Sequence, residues 1–581
     1  MFFLLIVFQF LISQAPTFAI EENFIVNENI EYSVTEQEKA NVTHSIIITN
    51  KDSQKYPSEY QLSFKGYQLS QVNATDDKGN ALQSFKEDKD VSIFNLKFNQ
   101  PKVGKDQQNE INLTYTINNF VKHKGKTWEI LLPQIVSNNN VTRKIITPIS
   151  FGSLSFSSIP LKFEPGISKN QIILNSQQRE NILIIFGNYQ LFDFKLNYHL
   201  KNNHNQTVTT EIAIIPDTHS QSVYYRQIEP APENIKIDPD GNWLAQYTLK
   251  TKQELNIIAT GQVKTGFELP QTLESENDFI GEQIFWPVND TKIQDIAKSL
   301  DNPKSIYDYV TSTLEYNYDR WGNAGRLGAL SALSEPQNSL CTEFTDLFVT
   351  LARAKNIPAR EIEGFAYTNN PEIKPTAQSG DILHAWPEFY NSKTNSWQEI
   401  DPTWGKTTGG LDFFNKLDLN HITFVIHGYS SQYPLPPGSY RHPNSDKSVE
   451  INFATEEFLS HQELPRVAFQ KNKLLFNNST PNSIKGLFLS IPKINFSKNI
   501  DTIMPYSSSL IEIPRLNFWQ TLNPSIRTLD IVLKNSEDKL STQTLVYPPY
   551  FINLGILIIS GLIILSLSGI IITRKKNEKT S

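Results

Sequence analysis

Cys341-Thr-Glu-Phe-Thr-Asp-Leu-Phe-Val-Thr-Leu-Ala-Arg-Ala354 is the stretch that decides how this chain is read. Phe344, Leu347, Phe348 and Leu351 recur at helical spacing and Asn356-Ile357-Pro358 supplies a stop, so the segment reads as an amphipathic helix that Cys341 opens. A helix N-terminus offers free N–H groups and partial positive charge, which favour the thiolate, the nucleophilic form of cysteine. Cys341 is also the single cysteine among 581 residues, so no intramolecular disulfide is possible. In a secreted chain a lone cysteine points to a reactive thiol or an intermolecular bond. A buried, inert thiol is the ordinary alternative.

The partners decide between them. His384-Ala-Trp-Pro-Glu-Phe-Tyr reads as a strand on which His384, Trp386 and Glu388 share a face. Trp397-Gln-Glu-Ile-Asp401-Pro reads as a third strand that Asp401 ends, after Arg360-Glu-Ile-Glu-Gly-Phe-Ala-Tyr. An imidazolium beside the thiol lowers its pKa, and a carboxylate on the far nitrogen fixes the tautomer and stabilises the imidazolium. Cys341, His384 and Asp401 are therefore the candidate catalytic residues. His421 and His427 compete as the base, though strand histidines at a sheet edge are usually structural. The Cys341 N–H is one oxyanion donor, with Gln337, Asn338 and Trp321 as candidates for the second and Trp386 as cleft wall. No His, Cys, Asp or Glu cluster has metal-ligand spacing in the sequence, so neither metal nor cofactor is expected.

Taken together, C-T-E-F-T-D-L-F from Cys341, L-A-R-A-K-N-I-P-A-R-E-I-E-G-F-A-Y, L-H-A-W-P-E-F-Y around His384 and W-Q-E-I-D-P-T-W-G around Asp401 resemble the core of the transglutaminase-like superfamily, over roughly 267–428. The resemblance implies a papain-like α+β fold, with the nucleophile on a helix packed against an antiparallel sheet, and carries the family's triad onto Cys341, His384 and Asp401. The continuation through Gly405-Lys-Thr-Thr-Gly-Gly410 to His421 is similar to membrane-anchored prokaryotic members. One position departs: the family commonly has Gly two residues before the cysteine, where this chain has Ser339, which narrows the approach to the thiol or alters the turn.

Outward from this core the pattern changes. Ile293, Ile296, Ala297 and Leu300, after an Asn289 or Asp290 cap, and Ile306, Tyr309, Val310 and Leu314, after Pro303, read as core helices. From 20 to 266 short alternating runs such as Ser45–Thr49, Val91–Leu96 and Ile182–Phe186 read as strands. A hinge at Asn138-Asn139-Asn140 divides them into β-sandwich domains at 20–137 and 138–266. Asp238-Pro-Asp-Gly-Asn242 has its Gly and its twelfth residue, Leu249, wrong for a calcium loop and reads as a hairpin turn. The catalytic domain is 267–430, and Pro-, Asn- and Ser-punctuated runs give a third β sandwich at 431–548.

The ends set the compartment. Phe2–Ile12 is apolar and Thr17-Phe18-Ala19 is a cleavage signal, so 1–19 reads as a signal peptide, with a retained anchor as the alternative because the n-region carries no Lys or Arg. Residues 551–573 carry no charge, and Arg574, Lys575, Lys576 and Lys579 follow. That predicts one transmembrane helix at 549–573 and a cytoplasmic tail at 574–581, a type I protein at the cell membrane with its bulk outside. A formal charge of −7 and a pI near 5.9 offer no basic surface for nucleic acid. Asn-x-Thr triplets are expected by chance in so Asn-rich a chain.

The expected fold is thus multidomain: an α+β transglutaminase-like core flanked by all-β sandwiches, with one C-terminal membrane helix. The function expected is a thiol enzyme that attacks extracellular amide bonds through a thioester, with an amine or water as acceptor. Its substrate would be a protein or peptide, a cell-wall peptide among the candidates. The other class is a degenerate member serving as a surface adhesion or scaffold protein, the reading that Ser339 favours.

Overall fold

The computed structural model describes residues 23–577, apart from 66, 81–82, 89–90, 133–134, 136, 138, 176, 180–181, 267–277, 321–324, 369–373, 380, 416, 443–446, 459–463, 472, 515–525, 527, 536–539 and 547–548. The leader expected at 1–19 lies outside the described residues. The chain divides into two compact units, one of residues 1–190 with 408–418 and one of residues 191–407 with 419–581.

The described residues of the first unit are built of strands, with one short 3-10 turn at Ile149–Phe151. Its largest sheet runs in the order Lys162–Glu164, Lys169–Leu174, Asn140–Pro148, Phe24–Val34, Ala40–Asn50, Gln108–Asn118, Gln68–Asp76. Alternating residues such as Val42, Ile46 and Ile48 point into one apolar core shared with Ile130, Leu132, Ile182 and Ile184. The break expected between 137 and 138 is therefore corrected. Asn140–Pro148 lies parallel beside Phe24–Val34, and Ile182–Phe186 pairs with Thr127–Leu132. The asparagine run reads as a linker by composition, but Asn139 donates to the buried Glu28 carboxylate and Asn140 to Asn27, so these two residues are held in place between strands.

The second unit opens with a β module in which Gln221–Glu229, Glu254–Gly266, Tyr189–Lys201 and Val449–Phe453 form one sheet and Val208–Ile214, Trp243–Leu249 and Asn234–Ile237 another. The turn at 238–242 is closed by Asp238, whose carbonyl accepts from Gly241 and whose carboxylate accepts from Asp240 and Asn242. Val449–Phe453 completes this module rather than the next, with Phe192 opposite Phe453, so the expected boundary at 430/431 also moves. The last β module packs two antiparallel sheets, Arg466–Gln470, Lys473–Asn478 and Ser507–Glu512 against Phe496–Ile503, Ile484–Ile491, Thr528–Lys534 and Leu540–Val546, around Leu474, Phe476, Leu489 and Leu529.

Between these modules lies the α+β core. Its helices are α1 (Thr291–Lys298), α2 (Pro303–Thr313), α3 (Ala329–Ser334), α4 (Cys341–Ala354) and α5 (Pro402–Thr407), and its main strands β1 (Ala359–Ala366), β2 (Asp381–Asn391), β3 (Ser396–Glu399) and β4 (His421–His427). Asp290 caps α1 and Asn302 caps α2, with Pro303 in its first turn. All pairings in the sheet are antiparallel, with β1 between β2 and β4 and β3 on the far side of β2. Gly364 of β1 sits opposite His384, and a Cβ there would meet the Ile422 carbonyl at 2.0 Å and the Trp386 ring at 2.9 Å. Only glycine lets the strands and the indole close this tightly.

The outer edge of β4 is finished by side chains. Gln221 bonds both the N–H and the C=O of Thr423, each at 2.8 Å, and Asn242 does the same for Ile426 at 2.7 and 2.8 Å. Two amides from the β module thus satisfy backbone groups that would otherwise be an open edge.

The C-terminal helix, Pro549–Asn577, is 29 residues long. Its described side chains, between 558 and 572, include exposed Ile564, Leu565 and Ile572. Counting only the described residues, no helix is long and apolar enough to cross a membrane.

Asn242→Ala strands a buried N–H and C=O of Ile426, at a cost of about 1–3 kcal/mol for each group. Hydrogen exchange over 421–427 is expected to quicken correspondingly; exchange at the wild-type rate would mean that the amide does not hold this edge.

Candidate active site

Cys341 is the first residue of α4. The helix start is held by Glu343, whose Oε2 accepts from the Leu340 N–H at 2.8 Å and whose Oε1 accepts from the Leu327 N–H at 2.8 Å. Arg320 reaches the same carboxylate at 3.2 Å. Cys341 is only 5 % exposed. Phe344, Leu347, Phe348 and Leu351 are buried as the periodicity predicts, and Asn356 turns the chain with φ of 55°.

The opposite face of α4 is not solvated as an amphipathic helix implies. Glu343, Asp346, Thr350 and Arg353 are buried as well. Asp346 accepts from the Trp286 indole at 2.8 Å and pairs with Arg326, which also reaches Glu361 at 2.8 Å. Burial works against the Arg326 charge, but Asp346 and Glu361 outweigh it and hold the guanidinium well above its usual range.

His384, on β2, is 1 % exposed. Its Nε2 lies 3.0 Å from Asp401 Oδ2, and its ring is stacked on Trp404 at 5.1 Å and on Trp386 at 5.8 Å. With Nε2 taken, Nδ1 is buried without a hydrogen-bond partner, and the Cys341 thiol lies near enough to favour the charged ring. Burial disfavours the imidazolium, yet Asp401 first and Cys341 second overcome it and raise the His384 pKa to about 9.

Asp401 occupies the position just before α5. Its Oδ1 accepts from the Trp404 N–H at 3.0 Å and its carbonyl from Gly405 at 3.0 Å, so it caps the helix while Oδ2 faces His384. The sequence carries this signal, Asp followed by Pro402 at the first helical position, although the strand reading overlooked it. Burial again opposes the charge, and His384, then His421, more than offset it and bring Asp401 to about 2. Tyr307 of α2 donates to the Asp401 carbonyl at 3.4 Å. Gly405 makes room for it, since a Cβ there would stand 1.9 Å from the Tyr307 hydroxyl.

The structure separates the two competing histidines. His421 lies 3.6 Å from Asp401 Oδ2 and packs on Trp404 and Trp386, behind the carboxylate rather than beside the thiol. His427 belongs to the charge network, between Glu361 at 3.1 Å and the Pro434 carbonyl at 2.8 Å.

The oxyanion candidates fare differently. Trp321 lies outside the described residues. Asn338 directs its backbone N–H and its side-chain amide to Glu335, Gln337 is exposed, and the Trp386 indole N–H is taken by Glu399 at 2.8 Å. None of these contacts brings a second donor to Cys341. Ser339 is extended, with φ −88° and ψ 141°, a conformation that needs no glycine, and its hydroxyl donates to the Pro336 carbonyl at 3.1 Å. The expected disturbance of the turn is not seen.

No cluster has metal-ligand spacing along the sequence, but the fold brings carboxylates and imidazoles together. Among the described residues, three groups assemble from positions distant in the chain: His384, Asp401 and His421; Glu361, Glu363 and His427; and His219, Glu388 and Glu399. Spacing along one segment cannot reveal ligands contributed by separate strands.

Residues 289–402 match the transglutaminase-like superfamily, so this part of the chain is a transglutaminase-like core within a β-rich, multidomain protein. No curated protein matches the chain. Among solved structures it is similar to a "putative cysteine protease" from Cytophaga hutchinsonii, at 14% identity and a TM-score of 0.31 over 57% of this chain and 94% of that one. It is also similar to the periplasmic domain of TgpA from Pseudomonas aeruginosa, at 14% identity and a TM-score of 0.22 over 38% of this chain and 91% of that one. An M1 zinc metallopeptidase from Deinococcus radiodurans follows at 12% identity and a TM-score of 0.20 over 32% and 46%.

The two pKa displacements set a stability window. The raised His384 stabilises the fold fully below its ordinary 6.5 and loses that contribution as pH rises through about 9. The lowered Asp401 contributes fully above its ordinary 3.8 and loses it as pH falls through about 2. Asp401→Asn keeps a helix cap but removes the charge. The His384 titration, followed by NMR, is expected to fall from about 9 to 6.5 or below in this variant; an unmoved titration would assign the shift to another group.

Proposed function

We propose that the protein is a membrane-anchored, extracellular thiol enzyme in which Cys341, His384 and Asp401 act on amide bonds. The observation that carries the reading is the His384 imidazole, buried between Asp401 at 3.0 Å and the Cys341 thiol at the start of α4. In this mechanism the Cys341 sulfur attacks the amide carbonyl, and the Cys341 N–H at the helix start stabilises the oxyanion. His384 gives its proton to the leaving nitrogen, the C–N bond breaks, and a thioester and a free amine result. An amine or a water then attacks the thioester while His384 takes its proton, and the thiolate leaves. Asp401 keeps the imidazolium oriented through both halves. An amine acceptor makes the enzyme a transglutaminase, and water makes it an amidase or peptidase. The substrates proposed are extracellular proteins or peptides, including cell-wall peptides.

The proposed anchoring rests on the sequence of the C-terminal segment, whose uncharged run is long enough to span the ~30 Å hydrocarbon core. The uncharged 551–573 stretch and the basic residues after it support an outside location for the rest of the chain.

Alkylation by iodoacetamide tests the thiol directly, because every modified cysteine is Cys341. The expected outcome is rapid alkylation at neutral pH that slows about tenfold or more in His384→Ala at the same pH. Turnover of a glutamine-containing peptide is expected to fall as pH rises through about 9, where His384 loses the proton that the leaving nitrogen needs. A thiol that reacts as slowly as a free one and is indifferent to His384 would overturn the enzyme and leave the scaffold reading.

A further inference from the structure

A second constellation lies apart from Cys341. His219 stands in the turn between Val208–Ile214 and Gln221–Glu229 of the β module, Glu388 is on β2, and Glu399 ends β3. Glu388 and Glu399 are direct partners in the antiparallel register. Carboxylates set opposite one another are destabilising unless a cation intervenes, the more so when buried. Arg360 answers part of this, since its Nε donates to Glu388 Oε1 at 2.8 Å. Glu399 Oε2 is occupied by the Trp386 indole.

Two oxygens remain. Glu388 Oε2 is buried without a hydrogen-bond partner, on a side chain with no exposure. It lies 4.0 Å from His219 Nε2, and Glu399 Oε1 lies 3.4 Å from the same nitrogen. Both spacings exceed an ordinary N–H···O bond of about 2.7–3.2 Å. They approach the separation of roughly 3.3 Å between neighbouring ligand atoms around a tetrahedral ion with bonds of about 2.0–2.1 Å. The three donor atoms all fall within 4.8 Å of one another.

We infer that His219, Glu388 and Glu399 form a binding site for a first-row divalent cation, with Zn²⁺ as the ion of best fit. One imidazole and two carboxylates suit zinc, whereas Ca²⁺ takes six to eight oxygens. The side chains of His219 and Glu399 are 10% and 11% exposed, so a water has access as fourth ligand. The ion would tie the β-module turn to two core strands. It would also fix Glu399, which holds Trp386 against the His384 ring.

The test uses the full-length chain in detergent, stripped by chelation and carrying Cys341→Ser so that the thiol contributes nothing. Titration with Zn²⁺ is expected to fill one site per chain, and Co²⁺ to give the visible absorption of a tetrahedral nitrogen–oxygen site. His219→Ala and Glu399→Gln should each weaken Zn²⁺ binding about tenfold or more, while His421→Ala leaves it unchanged. Glu399→Gln keeps an acceptor for the Trp386 indole, so its loss of binding cannot be laid to unfolding. Absence of Zn²⁺ binding, or binding that survives both His219→Ala and Glu399→Gln, overturns the site. Because the readout is metal occupancy in a chain without the thiol, its failure leaves the thiol chemistry untouched.

Discussion

The Asp401 carboxylate is the point on which the core is assembled. One oxygen caps α5 through the Trp404 N–H, and the other faces His384 at 3.0 Å and His421 at 3.6 Å. A charge with no exposure is costly to bury unless its lone pairs are met, and here a helix terminus and two imidazoles meet them. The same residue therefore sets where α5 begins, which way the His384 ring faces and how readily that ring stays protonated. Tyr307 and Gly405 bring α2 against the Asp401 backbone, so the carboxylate is fixed from behind as well as in front.

Around this point the core is polar where an ordinary core is not. α4 buries Glu343, Asp346 and Arg353 together with its phenylalanines. Arg320 and Arg326 neutralise the acids, and Arg353 donates to the carbonyls of Ala359, Gly281 and Gly428. Such networks add little net stability compared with apolar packing, but removing one member leaves an uncompensated charge. Their value is geometric. The register of α4 against β1, and so the placement of Cys341, is dictated by pairs that tolerate no sliding.

What the sequence revealed was what neighbouring residues determine. The α4 helix, its stop at Asn356, the Asn289 or Asp290 cap, the Pro303 helix start and the strand carrying His384 follow from local period and capping chemistry, and the pairing of His384 with Asp401 follows from family likeness. What it concealed was non-local. Glu343 and Asp346 look like a solvated face until Arg320 and Arg326 arrive from the preceding loop. Asn138-Asn139-Asn140 looks like a linker because composition cannot show Asn139 bonding to Glu28. Val449–Phe453 is assigned to its sequence neighbours because nothing local says that it pairs with Tyr189–Lys201.

The same distinction governs how the β module relates to the core. An inserted strand would cover the edge of β4 through a regular ladder, and its alternation would be visible in the sequence. Instead Gln221 and Asn242 each bind the N–H and the C=O of one residue, and Thr265 donates to the Leu419 carbonyl at 2.6 Å. Discrete side-chain clamps fix position at a few points and leave the backbone between them free of ladder constraints. The His219 turn, which leads directly into Gln221, approaches Glu388 and Glu399 from that clamped base. The module is thus docked on two neighbouring features of one sheet, its β4 edge and its β2–β3 carboxylate pair, and the second contact is the one whose spacing is set wider than a hydrogen bond.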